Sequence, residues 1–279
     1  DQTRGWFYSL LAISTIVSGT SSFKRCVVND MVLDAVGKKM SKSVGNVVDS
    51  FEIMAKQGAD ALRWYLVSTS PPWVPTKFDP DGVRDVASKL FDTLRNTYSF
   101  FSLYANIDGY DPKEHVAARD SLSVIDRWMF SRLNSTLMEV RADMDSYDIT
   151  KAVRKLQHFV LEDVSNWYVR LSRSRFWKGE MDEDKKAAYS TLHCVLVEVV
   201  QAIAPFAPLL SDAIYQRLRE GGGEGFASVA LRAGGAEEFD PKKDRAPASV
   251  HLCNYPEHGE ELIDRDLEVA MSLARSIVA

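Results

Sequence analysis

The sequence predicts a mainly α-helical chain in which a short α/β segment leads into an antiparallel helical bundle. Three observations carry this expectation. Beyond residue 80, apolar residues recur at helical spacing in long stripes joined by short breaks, the pattern of helices packed side by side. The run "FKRCVVNDMVLD", residues 23–34, is rich in β-branched residues, which favour a strand. Between the two lies "SPPWVPTKFDPDG", with four prolines, which reads as an irregular linker and the domain boundary.

The chain has 279 residues and is 46% apolar, enough to bury one large core or two ordinary ones. A formal charge of −5 supplies no molecule-wide field for nucleic acid, so any such binding must use local basic faces. Cys26, Cys194 and Cys253 lie far apart with no C-x-x-C pair, which argues against a zinc site or a disulfide framework and fits a reducing cytoplasm. No apolar run reaches the roughly 18 residues of a membrane span, and no charged head precedes a signal-like core. A soluble chain without a membrane partner is expected. The sequence starts at Asp1 and runs straight into a helical pattern, which reads as a piece of a longer protein.

Trp6, Phe7, Leu10, Leu11, Ile13 and Val17 recur at helical spacing, predicting a buried helix that ends at "SGTSS". The strand run then meets a turn at Asp34-Ala35-Val36-Gly37, so residues 37–46 hang just past a strand end, where ligands of α/β sheets collect. Asp49 and Glu52 have capping-box spacing for a short helix stopped by Gly58, and Asp60 can cap the next, "ALRWYLVST". Asp79 as N-cap, with Pro80 in the first turn, opens a long helix to Gly109. Ile125, Met129, Leu133, Leu137, Val140 and Met144 form one stripe; Ile149, Val153, Leu156, Val160, Val164, Tyr168 and Leu171 form another. A helix over about 184–204 breaks at "APFAP", where Pro205 and Pro208 cannot continue the ladder, and resumes over 211–220. From 221 to 247 periodicity gives way to glycine, alanine and charge, predicting an exposed, partly mobile loop. "VHLCNYPE" reads as a short strand and 262–278 as a final helix.

"GKKMSKSVGN", residues 37–46, sets three lysines and two serines between two glycines. Three readings compete: a solvated surface loop, a clamp on a polyphosphate, and a Walker-type phosphate loop. The last fails, because Gly37 precedes the lysines and Gly45 is followed by Asn46, so the G-x-x-x-x-G-K-[ST] order is absent. The clamp has the right chemistry, since ammoniums are mobile point charges, hydroxyls donate hydrogen bonds and glycines let the loop move.

The letters Lys39-Met40-Ser41-Lys42-Ser43 decide for the clamp. They match the signature loop of class I aminoacyl-tRNA synthetases, placed as in that family after a strand and before a helical domain. The resemblance implies that the loop grips the pyrophosphate part of ATP, with Lys39 and Lys42 as catalytic charges and Met40, Ser41 and Ser43 also binding ATP. The chemistry is electrostatic stabilisation of an anionic leaving group. "DQTRGWFYSLL" resembles the segment lining the aminoacyl-adenylate pocket in the isoleucyl branch. That implies ATP ribose at Asp1, isoleucine beside Gln2 and a pocket wall at Trp6, although a Trp on an amphipathic helix also reads as plain core.

"GADALRWYLVSTSPPW", "LRNTYSFFSLYAN", "IDRWMFSRLN", "NWYVRLSRSRFW" and "IAPFAPLLSDAIYQ" extend the resemblance over nearly the whole chain. It implies that 1–70 are the C-terminal end of a Rossmann-like α/β catalytic domain with the lysine loop and connecting helices, 71–79 a linker, 80–220 an α-helical bundle anticodon-binding domain, and 221–279 a loop and the start of a C-terminal region. The sequence departs from the family at Asn29-Asp30, where many members read His-Gly; an acid beside an adenine site is unhelpful, so the Asp30 side chain is expected to point elsewhere. The family's His-Ile-Gly-His motif, editing domain and C-terminal tail lie outside these residues, so the chain alone is expected to be inactive.

"NWYVRLSRSRFWKG" combines Arg170, Arg173, Arg175 and Lys178 with Trp167, Tyr168, Phe176 and Trp177. Arginines neutralise RNA phosphates while aromatic planes stack on unpaired bases. Equally, Trp167, Tyr168 and Leu171 can be core while the arginines pair with Glu162 and Asp163 or face water. Arg170, Arg173 and Arg175 are the expected tRNA contacts, and Arg127 and Arg132 follow with less support. Taken together, the resemblance implies part of an ATP-dependent ligase joining isoleucine to tRNA(Ile), monomeric, with ATP and Mg²⁺ as substrates and no metal bound in this chain. The alternatives are another branched-chain class I synthetase or a non-catalytic RNA-binding helical module.

Overall fold

The computed structural model describes residues 4–112, 115, 117–220 and 247–278. Its architecture is the mainly α one expected. Helix α1 (Trp6–Ser18) ends where Gly19 adopts the left-handed φ of 69° and donates its N–H to Thr15 O. Its expected burial does not occur: no α1 residue is buried, and Ile16 and Val17 are 84% and 79% exposed. Phe23 meets Phe7 edge-on at 6.4 Å, but no second layer among the described residues covers the helix.

The strand predicted over 23–34 shrinks to β1 (Val32–Leu33), and the linker predicted as irregular supplies its partner, β2 (Thr76–Lys77). They pair in parallel, Val32 opposite Thr76 and Leu33 opposite Lys77. Prolines explain the brevity. Pro71, Pro72 and Pro75 have no N–H to donate, so upstream of β2 the contact is a single bond from Asp30 N to Pro72 O of 2.7 Å.

Helix α2 (Ser50–Gln57) starts on Asp49, which accepts from Phe51 N at 2.8 Å, and α3 (Ala59–Thr69) follows Gly58 directly. Asp79 and Pro80 open α4 (Pro80–Asp85) as predicted, with Asp79 accepting from Asp81 N. The helix widens into π-helical turns at Val86–Phe91 and continues as α5 (Asp92–Asp108), closed by left-handed Gly109. A reciprocal capping box of Ser123 and Asp126 starts α6 (Val124–Asp145). Then come α7 (Ile149–His158), a second π-helical stretch at Phe159–Val169, and α8 (Arg170–Phe176). Helices α9 (Glu183–Ile203), α10 (Pro208–Glu220) and α11 (Arg265–Val278) complete the order. Helix α10 starts three residues earlier than predicted because proline suits the first helical turn.

Two further expectations are corrected. Residues 250–252 form a 3₁₀ turn, not a strand, because Asp212 accepts from both Ser249 Oγ and Val250 N at 2.7 and 3.0 Å. Asp60 does not cap its own helix: its carboxylate accepts from Leu210 N in the first turn of α10 at 2.6 Å. The loop predicted for 221–247 lies outside the described residues apart from Pro247.

The π-helical stretch of 159–169 has a visible effect on phase. Each wide turn uses more than 3.6 residues, so the stripe that runs through Val160, Val164 and Tyr168 slips by one position. Leu171, predicted as core, is 50% exposed, while Ser172, Arg175 and Phe176 turn inward.

The core is continuous from α3 to α10. Trp64 of α3 is fully buried, edge-on to Phe91 and Phe206 at 6.0 and 6.1 Å, and its indole N–H donates to Gln157 at 3.1 Å. Arg154 of α7 donates to the last-turn carbonyls of Ser68 and Thr69, and Arg63 of α3 donates to the carbonyls of Pro205 and Phe206 in the turn between α9 and α10. Arg154 thereby satisfies carbonyls that a helix end leaves unpaired, and Arg63 satisfies two in the turn.

Candidate functional site

The lysine loop springs from the end of the β1–β2 pair. Leu33 and Lys39 form an isolated antiparallel bridge, and Asp34 N donates to Lys38 O at 2.9 Å, so the chain doubles back tightly as predicted. Gly37 makes the turn with φ of 85° and bonds Asp34 O, a backbone conformation that L side chains resist.

Two residues that sequence reasoning passed over hold the loop in shape. Asn46 donates to Asp34 Oδ2 at 2.8 Å and to Lys39 O at 3.2 Å, and its own carbonyl accepts from Ser41 N at 2.8 Å. One amide thereby ties both ends of the loop to its middle. The other Asp34 oxygen accepts from Lys38 N and Val36 N at 2.7 and 3.1 Å. The Asn46 amide foremost, then the Lys38 amide, holds the Asp34 carboxyl below the usual carboxylate range. The Asp-x-x-Gly turn was the available signal for Asp34. Asn46 had none beyond following a glycine.

Lys38, Lys39 and Lys42 are exposed, and no described carboxylate lies within ion-pair distance of them. Ser41 and Ser43 share a hydrogen bond of 2.8 Å, and Met40 packs against the core and anchors the loop. The arrangement offers lysine ammoniums and a pair of serine hydroxyls to an anion, on a loop held by the Asp34 carboxylate and the Asn46 amide. Asp1 and Gln2 lie outside the described residues. Trp6 is 65% exposed, and Asp30 turns its carboxylate to its own neighbour, accepting from Met31 N at 2.7 Å.

The expected RNA face divides. Arg170 and Arg173 are exposed and, with Trp177 at 59% exposure, share one face of the α8 region. Arg173 also lines a groove of about 230 Å³ with Thr93, Asn96, Phe100 and Ser165. Arg175 corrects the expectation: it is 8% exposed and grips Asp126 with two bonds of 2.8 and 2.7 Å. Asp184 pairs with its Nε at 2.9 Å, and Tyr168 donates to the same Asp126 at 2.7 Å. Burial pushes the Asp126 carboxyl up, but the Arg175 guanidinium with Ser123 and Tyr168 outweighs it, leaving a net lowering. The charge of Arg175 is spent inside the fold.

Arg132 is half-buried and also paired, bonded to Asp163 at 3.3 Å and to Glu268 of α11 at 3.1 Å. Arg127 is exposed and lines a cavity of about 550 Å³ with Asp120, Glu261 and Asp264. Tyr168 and Phe176 are core; Trp167 is half-buried beneath the Arg275 guanidinium, 5.3 Å from its ring centre. Among the described residues no group of three His, Cys, Asp or Glu could hold a metal ion, and no helix is long and apolar enough to cross a membrane.

This architecture has known counterparts. The Agrobacterium radiobacter K84 LeuRS, solved as a ternary complex with tRNA and LeuAMS, superposes with a TM-score of 0.62 at 20% identity, over 92% of this chain and 27% of that one. Mycobacterium tuberculosis methionyl-tRNA synthetase in complex with methionyl-adenylate gives 0.61 at 23% identity, over 87% and 47%. Both likenesses speak to fold alone. In sequence, the isoleucine–tRNA ligase of Porphyromonas gingivalis is 46% identical over 99% of this chain, and that of Clostridium acetobutylicum 47% over 100%. The chain spans 22% and 25% of the length of those two relatives. The family model for tRNA synthetases class I (I, L, M and V) matches residues 1–74, and the model for the anticodon-binding domain of tRNA ligase matches residues 126–279. With the lysine loop inside the first match and the helices from Asp126 of α6 to α11 inside the second, the chain belongs to the class I tRNA synthetases.

Proposed function

We propose that this chain is part of an isoleucine–tRNA ligase, which activates isoleucine with ATP and passes the acyl group to tRNA(Ile). The reading is carried by the Lys39–Ser43 loop, whose lysines lack carboxylate partners among the described residues while a latch of Asp34 and Asn46 shapes the backbone around them. Lys39 and Lys42 are the proposed catalytic charges, meeting the negative charge that develops as pyrophosphate leaves. Met40, Ser41 and Ser43 complete the ATP contact, with MgATP as the substrate. The ribose contact of Asp1, the isoleucine contact of Gln2 and the pocket wall at Trp6 belong to the same proposal, as does the division into a catalytic end at 1–70, a linker at 71–79, a bundle at 80–220 and a C-terminal part. High identity to two isoleucine–tRNA ligases along the whole chain supports isoleucine over its branched-chain relatives.

Arg170 and Arg173 are the proposed tRNA contacts, supported by their exposure and their place on the bundle beside Trp177. A monomer in a reducing cytoplasm is proposed; three cysteines outside any disulfide suit that compartment. The test is isoleucine-dependent ATP–pyrophosphate exchange. A ligase containing this chain should show it and the chain alone should not, because proximity catalysis needs both walls of the ATP site. Exchange driven by valine or leucine in preference to isoleucine would overturn the assignment.

A further inference from the structure

Lys77 belongs to β2, outside the loop's own sequence, yet its side chain crosses the loop's first turn. A Cβ built on Gly37 would stand 3.1 Å from Lys77 Cε and 3.7 Å from Nζ. The lysine stem therefore lies against the one position in that turn with no side chain to obstruct it. Its backbone is pinned. The Tyr65 hydroxyl donates to Lys77 O at 3.1 Å and accepts from Asp79 N at 3.0 Å, and the buried Tyr65 ring fills the space beside Gly82, where a Cβ would come within 2.5 Å of it. The carboxylates of the same turn and the same strand end are both engaged with backbone amides, Asp34 with Val36 and Lys38, Asp79 with Asp81. Lys77 is exposed, and no described carboxylate lies within ion-pair distance of it.

We propose that Lys77 is a further phosphate-binding residue of the lysine-loop site, contacting the polyphosphate chain of a nucleoside triphosphate alongside Lys39 and Lys42. The inference rests on the reading of that loop as a polyphosphate clamp. It adds a charge from a second element: Lys39 and Lys42 sit on the loop that the Asp34–Asn46 latch shapes, whereas Lys77 projects from a strand fixed by Tyr65. A charge on a preorganised element loses less freedom when its ligand arrives. The contact of its stem with Gly37 also couples its position to the turn that launches the loop.

Titration of the chain with inorganic tripolyphosphate at low salt, followed calorimetrically, tests this. Lys77→Met keeps the stem and removes the charge; it should weaken binding about tenfold, the scale of one charge-assisted hydrogen bond, with the melting temperature unchanged. Lys77→Arg should restore most of the affinity. Unchanged affinity in Lys77→Met, with Lys42→Ala weakened, overturns the role of Lys77 and leaves the clamp reading standing. A loss in Lys77→Met with Lys42→Ala unaffected sinks the loop reading and, with it, the shared site proposed for Lys77. A wild-type chain that does not bind tripolyphosphate overturns both.

Discussion

Asp60 and Leu210 stand 150 residues apart in sequence, and the Leu210 N–H donates to Asp60 Oδ2 across 2.6 Å. The first turn of α10 thereby takes its capping oxygen from α3, which places the bond in the tertiary fold.

Asp60→Ala should cost about 1–2 kcal/mol, the range for losing an N-cap acceptor, read as a lower urea midpoint with unchanged slope. Burial, the largest influence, raises the Asp60 carboxyl above its ordinary value of 3.8. A raised folded value favours the protonated acid, so this contribution is present below that ordinary value and is lost as pH rises through the folded one. The stability of the wild type relative to Asp60→Asn should fall across that window; a flat difference would count against the assignment.

Arg175→Ala should destabilise by about 3–5 kcal/mol because it strands the Asp126 carboxylate without its partner. The double replacement Asp126→Leu/Arg175→Met should cost less than Arg175→Ala alone, since no charge then remains buried. Asp126 has a lowered carboxyl, so its pairing contributes above the ordinary carboxylate range and is lost as pH falls through the folded value. Equal costs for the single and double variants in chemical denaturation would refute the pairing energetics.

Arg170→Gln and Arg173→Gln should leave the fold intact and weaken tRNA binding. The slope of log K against log salt should flatten by roughly 0.7 per lost contact on a single-stranded region. Filter binding across a salt series reads both quantities, and an unchanged slope in the double variant would make this face a scaffold.

His193 is fully buried beside Phe101 and Tyr110, and burial pushes its imidazole down to about 4. A depressed folded value means the unfolded chain binds the extra proton between about 6.5 and 4, so stability is lost as pH falls through that window. Relative to His193→Leu, the wild type should lose about 2 kcal/mol between pH 7 and pH 5. Parallel pH profiles for the two proteins would contradict this.

In a ligase containing this chain, Lys42→Ala should lower kcat for adenylate formation roughly a hundredfold or more, with a smaller effect on isoleucine affinity. A change confined to KM for isoleucine would argue against a role on the leaving group.

Features fixed by neighbours in sequence were legible. Asp49, Asp79 and Gly109 act at the helix ends where their residue types place them, and the stripes of α6 and α7 face inward. Features fixed by distant contacts were not. The oxygen of Asp60 was readable as a cap but its helix was not. Arg175 looked like its exposed neighbours Arg170 and Arg173, because a 3.6-residue period does not register the wide turns that rotate it inward. In the loop, the five-letter motif was plain, while the latch depends on Asp34 and Asn46, twelve positions apart. Helix α1 carried an apolar pattern that no described partner covers, since periodicity reports a face and not what lies against it.

The arginine clasps on α3 bear on mechanics. With Arg154 holding its last carbonyls and Arg63 holding two in the α9–α10 turn, α3 is a strut about 16 Å long bound to the bundle at two points. Its Tyr65 hydroxyl is also the peg on which β2 hangs. Side-chain bonds thus run without a break from α7 through α3 and Tyr65 to the strand beside the lysine loop, so the bundle and that strand are tied by α3 as well as by the proline-rich stretch of chain between them.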